Sequence, residues 1–363
     1  MKVDVLEAPH EVEALVPQWS ELGERCGARA WVFPFWMLGW WRTHRSSARL
    51  RVVTAFDRGE LVALGPFCQV GPPGFRLVRF LGQLHQPNRV LTAPGRADVA
   101  AEVWGALRAL RLTLDLHDLE ATEGYRLLVE DPSWALFTAP ADLCMRIGLE
   151  KSAEEYFELR PGITRYLARY RRLAERDGYE ITVVHACSPE EIEKILPEVG
   201  AITAVAQRDR FKPGELETLA TGIMPGSVRA VVDAGRVHIT LIRFSGRPAA
   251  FGLALLGGHT VQTHLSGYDT DLRRYAPNYL TDAETLKWVV EHGYREVDLG
   301  IGAGEYKRRW TDEEYQTKRV VAAPNQLRLG IARAGLALRG QLLAQRPRLA
   351  ALASRWNNLG RAE

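Results

Sequence analysis

Every second residue of Val261-Gln-Thr-His-Leu-Ser-Gly-Tyr268 is polar, so an extended backbone would set Gln262, His264, Ser266 and Tyr268 on one face. An imidazole titrates near neutrality, and His264 in such a row is suited to take a proton from an amine nucleophile while Tyr268 lines a substrate wall. The same alternation describes a solvent-facing or internally hydrogen-bonded strand. Just beyond it, the polar segment Asp269 to Tyr279 carries Arg273 and Arg274 and runs through Pro277-Asn278 into a helical pattern. A helix start offers unpaired N–H groups and the positive end of the helix dipole, a setting for phosphate or pyrophosphate. An ordinary strand-to-helix connection with exposed arginines is the alternative.

Further along, Asp298-Leu-Gly-Ile-Gly-Ala-Gly304 looks like a glycine-rich phosphate loop. Its glycines do not open a long helix in a βαβ unit, however, as a dinucleotide fingerprint requires. Glu305-Tyr-Lys-Arg-Arg-Trp310 gathers a phenol, three cations and an indole, suited either to holding an anion near a proton donor or to a charged surface turn anchored by Trp310. Arg165, Arg169, Arg172 and Arg176 recur on one helical face. That stripe reads first as a solvated surface and second as a contact for the phosphates of a cofactor, an RNA or a membrane.

Elements to hold these groups are written in the apolar spacing. Met1 to Leu6 is strand-like, Glu11 to Arg25 and Pro34 to Arg45 suit amphipathic helices, and Leu50–Phe56 and Leu61–Cys68 flank a hairpin turn at Asp57-Arg-Gly-Glu60. Strand signals return at Phe75 to Leu81, followed by a helix at Ala97 to Leu110 and a strand at Arg111 to Leu116. The pattern weakens over Thr138 to Leu149, which predicts a domain boundary near Ala139 to Glu150. Ser152-Ala-Glu-Glu155 and Ser188-Pro-Glu-Glu191 are capping boxes opening helices, and Ile181 to Ala186 is a strand. Three strand runs from Val237 to Tyr268 form an antiparallel meander broken at Phe244-Ser-Gly-Arg-Pro248 and at Leu256-Gly-Gly-His259, before a helix at Asn278 to His292 and a strand at Glu296 to Leu299. Helices, a meander, then helix and strand make the class α+β. The tail from Ala332 to Trp356 reads as a basic amphipathic helix pair around Pro347.

With 363 residues the chain suits two domains of common size, and a formal net charge of +3 does not point to DNA. Cys26, Cys68, Cys144 and Cys187 are scattered without zinc-site spacing and read as buried thiols in a reducing compartment. The start lacks a basic patch leading into an apolar run, and no segment approaches the roughly twenty apolar residues of a membrane span. A cytoplasmic protein is expected.

Leu265-Ser-Gly-Tyr-Asp269, Arg274-Tyr-Ala-Pro-Asn278, Glu291-His-Gly-Tyr-Arg-Glu-Val-Asp-Leu-Gly300 and above all Glu305-Tyr-Lys-Arg-Arg-Trp310 carry a likeness. Val32-Phe-Pro-Phe-Trp36, Trp40-Trp41 and Phe80-Leu-Gly82 add to it more weakly. The chain resembles the CelD/BcsL-type acetyltransferases, which are related to the Fem peptidoglycan aminoacyltransferases and to GNAT enzymes generally. After Phe80-Leu-Gly82 that family continues into an Asp-rich segment, whereas this chain has His85-Gln-Pro-Asn88.

The resemblance implies two tandem GNAT-like domains, each a mostly antiparallel sheet flanked by helices. Residues 1–145 would be a degenerate copy, 146–325 the acyltransferase domain and 326–363 a basic helical tail. It further implies an acyl-CoA donor, acetyl-CoA first, attacked directly by an amine. Ser266, Gly267, Arg273, Arg274, Asn278 and Tyr279 would hold the donor. His264 or Asp298 would remove the amine proton, Tyr306 would protonate the thiolate, and Tyr268, Lys307 and Arg309 would contact substrate. No metal is expected. The partner is a small-molecule amine, with a tRNA or carrier-protein donor and a peripheral membrane contact as alternatives. The remaining alternatives are a Fem-like aminoacyl-tRNA-dependent transferase and a non-catalytic GNAT pair in envelope assembly.

Overall fold

At the first hairpin, Arg58 and Gly59 both take positive φ, 52° and 88°. That two-residue turn matches the right-handed twist of the strands it joins. The computed structural model describes residues 1–72, 75–82, 86–149, 152–206, 218–219, 221–222, 225–338 and 341. In chain order the strands are β1 (Lys2–Leu6), β2 (Ala48–Asp57), β3 (Glu60–Val70), β4 (Leu77–Phe80), β5 (Leu91–Thr92), β6 (Leu114–Leu119) and β7 (Ala135–Gly148). They continue with β8 (Ile181–Ala186), β9 (Val237–Phe244), β10 (Arg247–Leu256), β11 (Thr260–Tyr268), β12 (Glu296–Ile301) and β13 (Glu314–Ala323).

All of them join one large, mostly antiparallel sheet flanked by helices, in the order β1-β2-β3-β4-β6-β13-β7-β12-β11-β10-β9-β8, with β5 beside β3. The same device appears twice in it. An antiparallel meander, β1 to β4, crosses through the Ala100–Ala109 helix to β6, parallel to β4; another, β8 to β11, crosses through the Pro277–Glu291 helix to β12, parallel to β11. The final strands are then exchanged: β7 pairs with β12, while β13 lies between β6 and β7.

Most local expectations hold. Ser188 Oγ accepts from Glu191 N at 3.2 Å while the Glu191 carboxylate accepts from Ser188 N at 3.0 Å, the reciprocal cap read from sequence. Others need correction. The strand expected over Arg111 to Leu116 begins at Leu114, because Arg111 takes φ 53° as the preceding helix ends. The weak pattern over Thr138 to Leu149 is not a linker but β7, most of whose residues are only partly buried, so neither face carries the clean apolar alternation of a half-exposed strand. Position 145/146 therefore falls inside a strand. Helix covers residues 326–338 of the tail, and the rest of the expected helix pair lies outside the described residues.

One buried apolar cluster spans both halves, from Trp19 and Trp36 to Val237 and Leu255. The Gly257-Gly258 turn sits against the backbone of residues 23–30, where a Cβ on Gly257 would lie 2.5 Å from the Ala28 carbonyl oxygen. Glycine is required there by close approach.

On β9, the His238 ring stacks on Trp288 with centroids 3.8 Å apart, and its Nε2 is 3.0 Å from His185 Nδ1. Burial, aided by neighbouring His185 and His292, pushes the His238 imidazole down to about 3. Its folded value lies below the unfolded one, so the stability it permits at neutral pH is lost as pH falls from about 6.5 toward 3. The unfolding free energy measured in urea should fall below pH 6, by up to about 1.4 kcal/mol per pH unit, and a His238→Phe variant should show a shallower fall. Parallel pH curves would assign acid sensitivity to other groups.

Candidate active site

The parallel strands β11 and β12 stay paired only at Thr260↔Glu296, Val261↔Val297 and Gln262↔Asp298. Beyond that point both carry an extra residue. On β11, Leu265 faces Leu253 and Thr263 faces Ala254, which leaves His264 bulged; on β12, Asp298 faces Arg146 and Gly300 faces Met145, which leaves Leu299 bulged. Gly300 takes φ 70°, and its N–H donates to Asp298 Oδ1 at 2.6 Å. Bulges bend and twist a strand, so the two diverge and open a cleft of about 430 Å³. Thr263 to Ser266 form one wall and Leu299 to Ile301 the other. Asn278, Asp282 and Thr285 of the Pro277–Glu291 helix, Tyr306 and Trp310 close it on the C-terminal side, and Trp31 and Gln86 reach in from the N-terminal half.

His264, Ser266, Asn278 and Tyr306 thus meet in one cleft. The His264 ring sits edge-on to Trp36, centroids 5.2 Å apart and planes at 86°. Burial, and then the charge of Asp282, raise the Tyr306 phenol above its ordinary range. The four-residue polar face read from alternation does not survive the bulge. Gln262 is fully buried and accepts from Ala30 N at 2.6 Å, and Tyr268 lies beyond the cleft opposite Ala250. Gly267 also lies outside the lining, where a side chain would meet the Phe251 ring at 2.8 Å.

Several other expected roles move. Asp298 is completely buried: Oδ2 pairs with Arg29 and accepts from Tyr315 Oη at 2.6 Å, while Oδ1 accepts from Gly300 N. A carboxylate so occupied is a structural anion and not an accessible base. Lys307 also lines the cleft, and its ammonium donates to the Gly300 and Ile301 carbonyls at 3.1 and 2.7 Å, capping the diverging strand end. Burial lowers its pKa, with Asp298 opposing. Arg274 pairs with Asp177 and lies over Tyr275, and Arg273 is exposed away from the cleft lining. Arg309 stacks over Tyr166 and Tyr279 at 5.1 and 5.5 Å, beside the cleft rather than in it. At the helix start Ala276 takes φ 47°, Pro277 has no N–H, and Tyr279 N and Leu280 N already donate to Ala276 O. Asn278 is the first-turn residue that reaches the cleft.

The residue missed in the sequence is Asp282. It stands on the cleft face of its helix with Asn278, Thr285 and Leu286, at i, i+4, i+7 and i+8. Burial alone pushes its carboxyl up to about 7. The signal was that spacing, legible once Asn278 is placed at the helix start.

Holding the point of divergence is Arg29. Its guanidinium bonds Glu120 and Glu296 at 3.0 Å each and Asp298 more closely, and lies 5.0 Å over the Tyr315 ring. Burial opposes the charge, but these carboxylates outweigh it and hold Arg29 well above the usual range. Among the described residues, no group of three His, Cys, Asp or Glu is placed to hold a metal, and no helix is long and apolar enough to cross a membrane.

Residues 163–308 match the family model of an acetyltransferase (GNAT) domain, which spans β8 to β12 and the helix that closes the cleft. No curated protein matches the chain in sequence. Among solved structures the chain is similar to FemX, at 11% identity and TM-score 0.62, covering 89% of this chain and 97% of that one. It is also similar to a conserved protein of unknown function from Bacteroides thetaiotaomicron (10%, TM-score 0.56, 89% and 100%). L-PGS from Bacillus licheniformis aligns at 15% identity and TM-score 0.51, covering 88% and 93%. Residues 163–308 thus have a GNAT-like fold, and the first half of the chain repeats its meander, helix and parallel strand along the same sheet.

Proposed function

We propose that this protein is an N-acyltransferase of the CelD/BcsL kind that moves an acyl group from acyl-CoA to an amine by direct attack. The observation that carries this reading is the divergence of β11 and β12. It leaves strand-edge peptide groups along a cleft, where the amide-bearing arm of a coenzyme A thioester can add itself like a short strand. The amine nitrogen attacks the thioester carbonyl and the C–S bond breaks. Asp282 takes the proton that the nitrogen loses, Tyr306 returns one to the departing thiolate, and backbone N–H groups of β11 polarise the carbonyl. His264 forms the wall beside the reacting carbon. Asn278, at the positive end of its helix, faces the donor's pyrophosphate.

Calorimetric titration with acetyl-CoA tests the donor. Wild type should bind, and Asn278→Asp, which sets a negative charge against the phosphates, should bind about tenfold or more weakly. A wild type that produces no binding heat would sink the coenzyme A assignment.

A second reading, an aminoacyl-tRNA donor, is favoured by Arg165, Arg169 and Arg172, which stand exposed on the Pro161–Arg176 helix. Binding of a tRNA acceptor-stem duplex that falls steeply with salt, and falls again in an Arg165→Ala/Arg169→Ala variant, would put that reading first.

A further inference from the structure

Gln86 is the polar side chain that the N-terminal half presents to the cleft, and its Oε1 has no hydrogen-bond partner among the described residues. The residue is 8% exposed, with that oxygen buried, and lines the cleft beside Trp31. Its backbone, by contrast, is pinned. Asn88 Nδ2 donates to the Gln86 carbonyl at 2.6 Å, Trp31 Nε1 to the Pro87 carbonyl at 2.9 Å, and Asn88 N to the Asp118 carbonyl at 2.7 Å. A buried amide oxygen without a partner destabilises a fold, and leaving one at the wall of a cleft makes sense when a ligand completes it. The segment is also the place where this chain has His85-Gln-Pro-Asn88.

We infer that the Gln86 amide hydrogen-bonds the acceptor, and that the acceptor class read here is an amine that also bears a hydroxyl or amide group. The N-terminal half thereby selects the acceptor while the diverging strands of the C-terminal half hold the donor. An amide can turn either its oxygen or its nitrogen to a ligand, so a donor or an acceptor group satisfies it. This inference rests on the acyltransferase reading above. A site built to hydrogen-bond a substrate group strongly disfavours the analogue that lacks it.

The test uses the full chain with acetyl-CoA and two matched amines, trans-2-aminocyclohexanol and cyclohexylamine, in wild type, Gln86→Met and Gln86→Leu. Wild type should prefer the amino alcohol at least tenfold in kcat/KM. Gln86→Met, which keeps the shape and removes the hydrogen bonds, should erase most of that preference by raising KM for the amino alcohol while calorimetric acetyl-CoA binding stays unchanged. Thermal unfolding midpoints of both variants should be unchanged or raised by roughly 2 °C, since a buried oxygen without a partner has been removed. A lowered midpoint in both variants makes Gln86 structural and overturns the inference. So does an unaltered preference, or a wild type that binds acetyl-CoA and transfers to neither amine. Absence of acetyl-CoA binding in wild type overturns the acyltransferase reading itself.

Discussion

Asp282→Asn should lower kcat by about 10²–10⁴-fold if the carboxylate removes the amine proton in the transition state. The carboxyl sits in the cleft wall with burial holding it at about 7. Wild-type kcat/KM should therefore rise with pH and level off above about 7, and the asparagine variant should lose that rise. Stability moves the other way. The folded carboxyl has its pKa above the unfolded value, so its effect is favourable below about pH 4 and is lost as pH climbs through about 7. At pH 8 the variant should unfold at a higher urea concentration than wild type. An amide there that leaves the pH–rate profile intact would remove Asp282 from the reaction. Tyr306→Phe separates the two proton transfers, since it should slow turnover without shifting the ionisation near 7.

Replacing Arg29 by methionine should cost about 3–5 kcal/mol, the typical loss when one partner of a buried ion pair is removed. The methionine leaves Asp298 fully buried with Tyr315 and Gly300 as its remaining donors, and leaves Glu120 and Glu296 with Arg89 and Arg146 as their remaining cations. Urea unfolding measures the loss. The double variant Arg29→Met/Asp298→Leu should recover part of it, because both buried charges are then gone. A loss below about 1 kcal/mol would mean that water replaces the guanidinium and the cluster is a surface network in practice. Because Arg29 and Glu120 come from the first half of the chain, and Glu296 and Asp298 from the last third, the same substitution loosens the joint between the halves. Donor binding should weaken along with stability, since Asp298 marks the last rung before β11 and β12 part.

This joint gives the exchanged strands a physical purpose. β7 hydrogen-bonds β12 and β13 hydrogen-bonds β6, so each half supplies the strand that covers the other's edge. An exposed edge of that length invites association with other chains, and pairing it within the chain removes the hazard. The cleft therefore sits in a continuous sheet, with Trp31 and Gln86 on one side and the helix of Asn278 and Asp282 on the other.

What the amino-acid sequence determined by itself lies within a few residues of its cause. The Arg58-Gly59 turn, the caps at Ser152 and Ser188, the meander from Val237 to Tyr268 and the helix opened by Pro277 are set by local backbone and side-chain chemistry. So is the order of strand, loop and helix that carries His264, Ser266, Asn278 and Tyr306 to one cleft. Tertiary structure alone decided the rest. Whether an alternating strand keeps its register depends on the partner strand, and the bulge at His264 arises from pairing with β10, which turned Gln262 into the core. Asp298 reads as a free carboxylate until Arg29, 269 positions away, closes on it. Asp282 and Gln86 acquire their chemistry from burial between segments far apart in the chain, and burial is a property of the packed molecule that no neighbouring residue encodes.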